Sequence, residues 1–140
     1  MGVAIVKYTP ELYSLTLIST ATALMWVPYV LARMTTHGVM RAIGKPGAGY
    51  PTDTPWADRA RRAHINAIEN LTVFAPLVLV GAIIEVSTKA TVLSAQIYVA
   101  ARLAHYVIYA AGIPIVRTLA FLAGACATLA IEIALLQSAL

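Results

Sequence analysis

Residues 61–84 read RRAHINAIENLTVFAPLVLVGAII, a dense polar cluster followed at once by an apolar run. At about 100° per residue in a helix, polar side chains here fall on one face within an arc of roughly 80°. They are Arg59, Arg62, Asn66 and Glu69. Such groups so close to hydrocarbon are expected to meet one another, another helix or a polar ligand. A solvated rim at the end of a membrane helix is the simpler alternative, and this segment alone leaves both open.

The composition is that of a membrane protein. Of the 140 residues, 60% are hydrophobic and 11% are charged, and the mean hydropathy is +0.79. Leu12–Ala32 carries no charge and is close to the ~20 residues that span a bilayer. Further apolar stretches follow at Leu71–Ile84, Ala90–Val116 and Thr118–Leu140. We therefore predict an all-α membrane protein, a bundle of four transmembrane helices in a single domain over residues 1–140.

The first span is expected to be retained. Met1–Glu11 lacks the basic start, short apolar core and small-residue cleavage site of a secretory signal. Cys126 is the only cysteine, so an intramolecular disulfide is excluded and a packing role is expected. We predict no metal site.

The basic residues predict the orientation in the membrane. Six of the ten lie in or beside the connection between the first two spans: Arg33, Arg41, Lys45, Arg59, Arg61 and Arg62. By the positive-inside tendency, this connection is expected to face the cytoplasm. Because anionic lipid headgroups account for such cations, the net charge of +4 implies no nucleic-acid partner.

Turn residues predict where the helices begin and end. Residues 44–51 are rich in Gly and Pro, so the connection Arg33–Ala57 is predicted to be a long exposed loop. The predicted boundaries are Thr54 before Pro55 for the second helix, Ser87 or Thr88 for the third, and Gly112 with Pro114 for the fourth.

A second polar stripe lies in the third span. Its residues share one helix face within an arc of roughly 60°; they are Tyr98, Arg102, His105 and Tyr109. Arg117 follows the next turn on the same side. Polar groups from three helices are thus expected to converge at one depth, which favours a functional pocket. The structural alternative is a buried Glu69–Arg102 ion pair with His105 as a satisfied core histidine.

The fourth span carries two further features. Small residues at i, i+4 and i+8, namely Ala120, Gly124 and Thr128, favour close approach to another helix and predict a homotrimer. Glu132 lies about 22 Å along the helix from Arg117 at 1.5 Å per residue. A structural or interfacial role near the opposite membrane surface is expected for this carboxylate.

The polar segments resemble the signatures of the MAPEG superfamily, the membrane-associated proteins in eicosanoid and glutathione metabolism. Residues 61–70 are similar to its second-helix signature, and ARLAHYVIY at 101–109, followed by Arg117, is similar to another. The resemblance covers most of the chain and is closest to a bacterial branch of microsomal glutathione transferase type. It implies a homotrimer of four-helix protomers in a bacterial inner membrane. Glutathione would bind between subunits near the cytoplasmic side.

The resemblance also implies roles for individual residues. The glutathione-binding positions are Arg62, Asn66, Glu69, Arg102, His105 and Tyr109. Arg117 resembles the arginine that stabilises the glutathione thiolate, and Tyr109 is the second catalytic candidate. Arginines suit the carboxylates of glutathione, and a cation near the sulfur lowers the pKa of the thiol.

The leading hypothesis is a membrane glutathione transferase or glutathione-dependent peroxidase with a role in detoxification. Glutathione would be the cosubstrate, and a lipophilic electrophile or lipid hydroperoxide would arrive from the membrane lipids. The alternative is a noncatalytic lipid-binding or scaffold protein in the same trimer. A small transporter or channel is disfavoured, because Leu12–Ala32 and most of the fourth helix offer no polar lining.

Overall fold

The computed structural model describes residues 7–44 and 52–138, and over these the chain is helical without a β-strand. The helices are α1 (Pro10–Leu24), α2 (Trp26–His37), α3 (Val39–Ala42), α4 (Pro55–Ile83), α5 (Lys89–Ala111) and α6 (Pro114–Ser138). The predicted all-α class is confirmed. Most of the Gly- and Pro-rich loop predicted over residues 44–51 lies outside the described residues.

Three helical segments are long and apolar enough to cross a bilayer: Pro10–His37, Pro55–Ile83 and Pro114–Ser138. Helix α5 has 23 residues, which is sufficient length for a span. Its Lys89, Arg102 and His105 lower its hydropathy relative to the others. A membrane protein is therefore supported, and a fourth span through α5 stays a prediction.

The first predicted span, Leu12–Ala32, lies within the candidate span Pro10–His37, but the helix is broken inside it. Helix α1 gives way to α2 at Met25, whose N–H donates to the Thr22 carbonyl at 3.2 Å. Pro28 explains this break, because it has no N–H to donate to the carbonyl of Leu24. The segment is thus two helices in series.

The connection between the first two spans is shorter than predicted. An exposed loop beginning at Arg33 is wrong, because α2 continues to His37 and α3 follows it, whereas α4 begins at Pro55, the predicted start of the second helix. Thr54 precedes Pro55 as expected, but its side chain makes no capping hydrogen bond. Proline itself favours the helix start, since its missing N–H and fixed φ suit that position.

The other two predicted boundaries are confirmed. Thr88 caps α5, and its hydroxyl accepts from the Thr91 N–H at 3.2 Å while the Thr91 hydroxyl accepts from the Thr88 N–H at 2.8 Å. Gly112 closes α5 in the left-handed conformation with φ of 81°. Pro114 then begins α6.

The core lies where α1, α4, α5 and α6 meet. The rings of Phe74 and Tyr98 stack at 3.7 Å with their planes 3° apart, and neither residue is exposed. Ile18 from α1 and Ile131 with Leu135 from α6 pack around this pair. The stack fixes the rotation of α5 against α4 and thereby aims the polar stripe of α5.

Polar contacts tie the helices together at both ends of the bundle. At one end the Glu11 carboxylate accepts hydrogen bonds from Ser87 at 3.0 Å and Thr91 at 2.6 Å, joining α1 to the start of α5. At the other end Arg59 donates to the Ala110 carbonyl at 3.0 Å, joining α4 to the end of α5. The starts of α1 and α5 thus lie at one end of the bundle, and the start of α4 and the end of α5 lie at the other. The predicted order of spans requires this arrangement. Which end faces the cytoplasm stays a prediction.

Helix α2 has no buried residue and is held to α4 and the segment before it by polar contacts. Arg33 donates from Nε to Asp53 Oδ1 at 2.8 Å and from Nη2 to Asp53 Oδ2. The Tyr29 hydroxyl lies 3.0 Å from His64 Nδ1. The hydrogen bonds from Arg33 hold the pKa of Asp53 below its ordinary value of 3.8.

Asp53→Asn is expected to loosen α2. Because the pKa of Asp53 is depressed in the folded protein, its stabilising contribution is complete above pH 3.8 and is lost as pH falls through the folded value. Hydrogen exchange of α2 amides at pH 7 should report an opening free energy lower by about 1 kcal/mol. Asp58→Asn is the control, since the partners of Asp58 lie on α4 itself. Unchanged α2 exchange in Asp53→Asn would show that this ion pair does not hold the helix.

Candidate functional site

Side chains from α4, α5 and α6 surround an open cavity of about 230 Å³. Its lining residues are Asn66 from α4, His105 and Tyr109 from α5, and Arg117, Thr118 and Phe121 from α6. The predicted convergence of polar groups from three helices is therefore confirmed. Thr118 and Phe121 were missed by the sequence analysis, although Phe121 lies four residues after Arg117 and so on the same helix face.

Arg117 owes its place to the turn between α5 and α6. It lies in the first turn of α6, and its N–H donates to the Ile113 carbonyl at 3.3 Å. The Arg117 guanidinium lies 4.5 Å from the centre of the Tyr109 ring, an attractive cation–π geometry. Among the described residues it has no carboxylate partner. The cation and the free N–H groups of the helix start both favour an anion here.

His105 and Asn66 bring unpaired polar atoms to the same cavity. His105 is 4% exposed, and its ring meets Tyr109 edge-on at 5.5 Å. No hydrogen bond links either ring nitrogen to another described residue, so the satisfied core histidine is not what the structure has. The Asn66 Oδ1 atom is buried without a partner. Because such atoms are costly when unpaired, the cavity favours a ligand with hydrogen-bond donors.

Arg102 faces the core instead of the cavity. It is 1% exposed, and its Nη2 donates to Asn70 Oδ1 at 2.7 Å. Its guanidinium lies 5.2 Å from the ring centre of Tyr98 and 5.1 Å from that of Phe121. The suggested Glu69–Arg102 pair is wrong for the protomer, since Glu69 is exposed. One residue along α4 is a rotation of about 100°, which turns Asn70 toward α5.

Gly124 makes room for this buried cation. A Cβ at this position would lie 2.9 Å from both Cζ and Nε of Arg102. Gly124 and Thr128 are buried within the protomer, so their small size serves the packing of α6 on α5. The predicted close approach to another helix is therefore met within the chain by α5. The homotrimer itself stays a prediction.

Besides Arg102, two further predicted glutathione residues lie outside the cavity. Arg62 donates from Nε to Asp58 Oδ2 at 2.9 Å, and its side chain is 62% exposed. Glu69 is exposed on the same helix. Cys126, expected to be a packing residue, is also exposed. The cavity thus unites Asn66 with residues of α5 and α6 and leaves the outer part of the α4 stripe on the protomer surface.

The MAPEG family model matches residues 14–137. Because the match covers most of the chain, the protein belongs to the MAPEG family, and the resemblance to this superfamily is confirmed. Its bacterial branch stays a prediction. With its long apolar helices, it is an integral membrane protein of a family concerned with glutathione and eicosanoid metabolism. None of the curated proteins compared with the chain matches it significantly.

Gly124→Ala tests the contact with Arg102. In an ordinary helix this change stabilises by up to about 1 kcal/mol. Here we expect a loss of about 1 to 3 kcal/mol, because the new methyl group overpacks the site. In an Arg102→Met background the same change should cost little, since the flexible thioether chain can yield. Thermal unfolding in detergent measures both. An equal loss in the two backgrounds would show that the guanidinium is not the cause.

Proposed function

We propose that the protein is a membrane-embedded glutathione transferase or glutathione-dependent peroxidase acting on lipophilic electrophiles. The observation that carries the proposal is the single cavity shared by Asn66, His105, Tyr109 and Arg117. It offers a cation without a carboxylate partner beside unpaired polar atoms. Membership of the MAPEG family supports glutathione as the cosubstrate.

Arg117 is assigned the central chemical role. The glutathione thiol must become a thiolate to attack, and a guanidinium together with the N–H groups at the start of α6 lowers the pKa of that thiol. The released proton passes to water. Tyr109, whose ring carries the Arg117 guanidinium, is the second candidate for holding the sulfur. With an electrophile, the thiolate forms a C–S bond as the bond to the leaving group breaks and that group departs with the electron pair. With a hydroperoxide, the sulfur attacks the terminal oxygen, the O–O bond breaks, and the alkoxide takes a proton from water to leave as the alcohol. A second glutathione then reduces the resulting sulfenic acid to the disulfide and water.

A second copy of the chain is proposed to complete the site. The cavity of about 230 Å³ is smaller than the roughly 300 to 1,000 Å³ of ordinary ligand pockets. Arg62 and Glu69 are exposed on α4, and they are proposed to bind glutathione that lies between two neighbouring subunits of a homotrimer. In this arrangement glutathione enters from the cytoplasm, and the acceptor enters from the lipid of a bacterial inner membrane.

A noncatalytic lipid-binding or scaffold protein is the second candidate. One observation favours it: Arg102, expected to bind glutathione, is turned into the core and bound to Asn70. A protein that used the same helices only for packing would have this arrangement. Thiolate formation separates the two candidates, because a scaffold has no reason to ionise glutathione.

Arg117→Ala is expected to retain the trimer and most glutathione affinity while losing conjugation by at least about a hundredfold, the scale for removing a group that stabilises a reacting anion. The measurements are the ultraviolet absorbance of the thiolate and turnover of a lipophilic electrophile or hydroperoxide. Arg61→Ala is the control, because Arg61 pairs with Asp58 outside the cavity. If the wild-type protein forms no thiolate and turns over neither substrate, the enzyme hypothesis fails and the scaffold hypothesis takes its place. Equal activity in wild type and Arg117→Ala would remove only the role of Arg117.

Asn66→Ala and Arg62→Ala should each weaken glutathione binding by about 1 to 3 kcal/mol, the scale of a hydrogen bond to a charged group. Calorimetric titration measures the affinity, and native mass measurement checks that each variant is a trimer. Because Arg62 lies outside the cavity of its own chain, its substitution weakens glutathione binding only if a neighbouring subunit brings Arg62 to the site. Unchanged affinity in both variants would show that glutathione binds elsewhere. A monomeric wild-type protein would contradict a site shared between subunits.

A further inference from the structure

Arg59 binds the end of α5 from the first turns of α4. Its Nε donates to the Ala110 carbonyl at 3.0 Å. In a continuous helix that carbonyl would accept from the residue four positions later, but this residue is Pro114, which has no N–H. Arg59 therefore satisfies a carbonyl that the sequence leaves without a helical partner. Its cation also meets the negative end of the α5 dipole.

Gly112 lets the guanidinium lie directly on the turn. Its φ of 81° is in the left-handed region, which favours glycine. Independently, a Cβ there would lie 3.1 Å from Arg59 Nε and 3.2 Å from Arg59 Cζ. The turn is thus shaped by its own backbone and by a side chain from another helix.

Only a few residues separate the Arg59 contact at Gly112 from Arg117 in the cavity. Pro114 begins α6 two residues after Gly112, and Arg117 follows within the first turn of that helix. Its N–H is bonded to the Ile113 carbonyl at 3.3 Å. A displacement of the turn therefore carries the start of α6, and the Arg117 cation, with it.

We propose that Arg59 is a positioning residue that sets Arg117 in the cavity by holding the α5–α6 turn. Arg59 does not line the cavity, so it acts through the backbone and not on the ligand. Arg59 belongs to the polar stripe of α4 with Arg62 and Asn66, and it meets another helix, which is one of the partners expected for that stripe. The consequence for chemistry rests on the proposed function, because it concerns the anion that Arg117 stabilises.

Arg59→Ala in the full-length trimer tests the proposal. A misplaced cation should raise the pKa of bound glutathione, read from the pH dependence of thiolate absorbance, and lower kcat by about tenfold to a hundredfold with KM nearly unchanged. Arg59→Lys should recover part of kcat, since an ammonium group can donate to a carbonyl without the fork of arginine. Arg61→Ala, two residues away, should behave as wild type. A purely structural cap would lower thermal stability while leaving the thiolate pKa and kcat unchanged, which would overturn the proposal.

A double-mutant cycle shows whether Arg59 acts through Arg117. In an Arg117→Ala background, Arg59→Ala should cause no further loss of turnover, because residues that act as one unit are not additive. Additive losses would overturn the proposal.

Hydrogen exchange without glutathione tests the contact independently of activity. Protection of the amides from Gly112 to Arg117 should fall at least about tenfold in Arg59→Ala and stay unchanged in Arg61→Ala. Unchanged protection in Arg59→Ala would overturn the inference whatever the activity. Lost protection in a protein whose wild type forms no thiolate would overturn the proposed function while upholding Arg59 as the residue that holds Arg117.

Discussion

Burial of the Arg102 guanidinium is the constraint on which the packing of α4, α5 and α6 depends. The residue is 1% exposed, and a buried ion costs several kcal/mol unless it is compensated. Asn70 supplies a hydrogen bond at 2.7 Å, two aromatic faces lie near the cation, and Gly124 leaves the space it occupies. The Nε and Nη1 atoms remain without partners among the described residues. The protomer alone therefore compensates this charge only in part.

The Arg102 cation also affects the candidate site, although Arg102 does not line the cavity. Phe121 contacts Arg102 on one side and lines the cavity on the other, so the position of the buried charge sets one cavity wall. His105 and Tyr109 lie three and seven residues after Arg102 on α5, which places them on the same face. A second positive charge thus stands behind the cavity that Arg117 enters from α6. Fields of one sign add in a cleft of low dielectric, and this cavity favours an anion.

The predictable part of this arrangement is the part fixed by local periodicity. The α5 stripe from Arg102 to Tyr109 follows from regular helix geometry. Gly112 predicts the turn after α5, and this turn determines where Arg117 lies. The rotation of α4 about its own axis is not contained in its pattern, because polar residues at both Glu69 and Asn70 allow either to face α5. The break at Met25 was within reach, since Pro28 is visible in the sequence.

Small residues show a different limit of sequence reasoning. A glycine at position 124 permits close approach, but the pattern does not say whether the approaching group is another backbone or a guanidinium. Only the partner decides, and the partner here is Arg102, 22 residues earlier in the chain.

The same ambiguity applies to the outer face of α4, where Glu69 lies beside exposed Ile65 and Ile68. Lipid cannot hydrogen-bond a carboxylate. A neighbouring subunit with a bound peptide ligand, as proposed, would satisfy this carboxylate and cover those apolar side chains together.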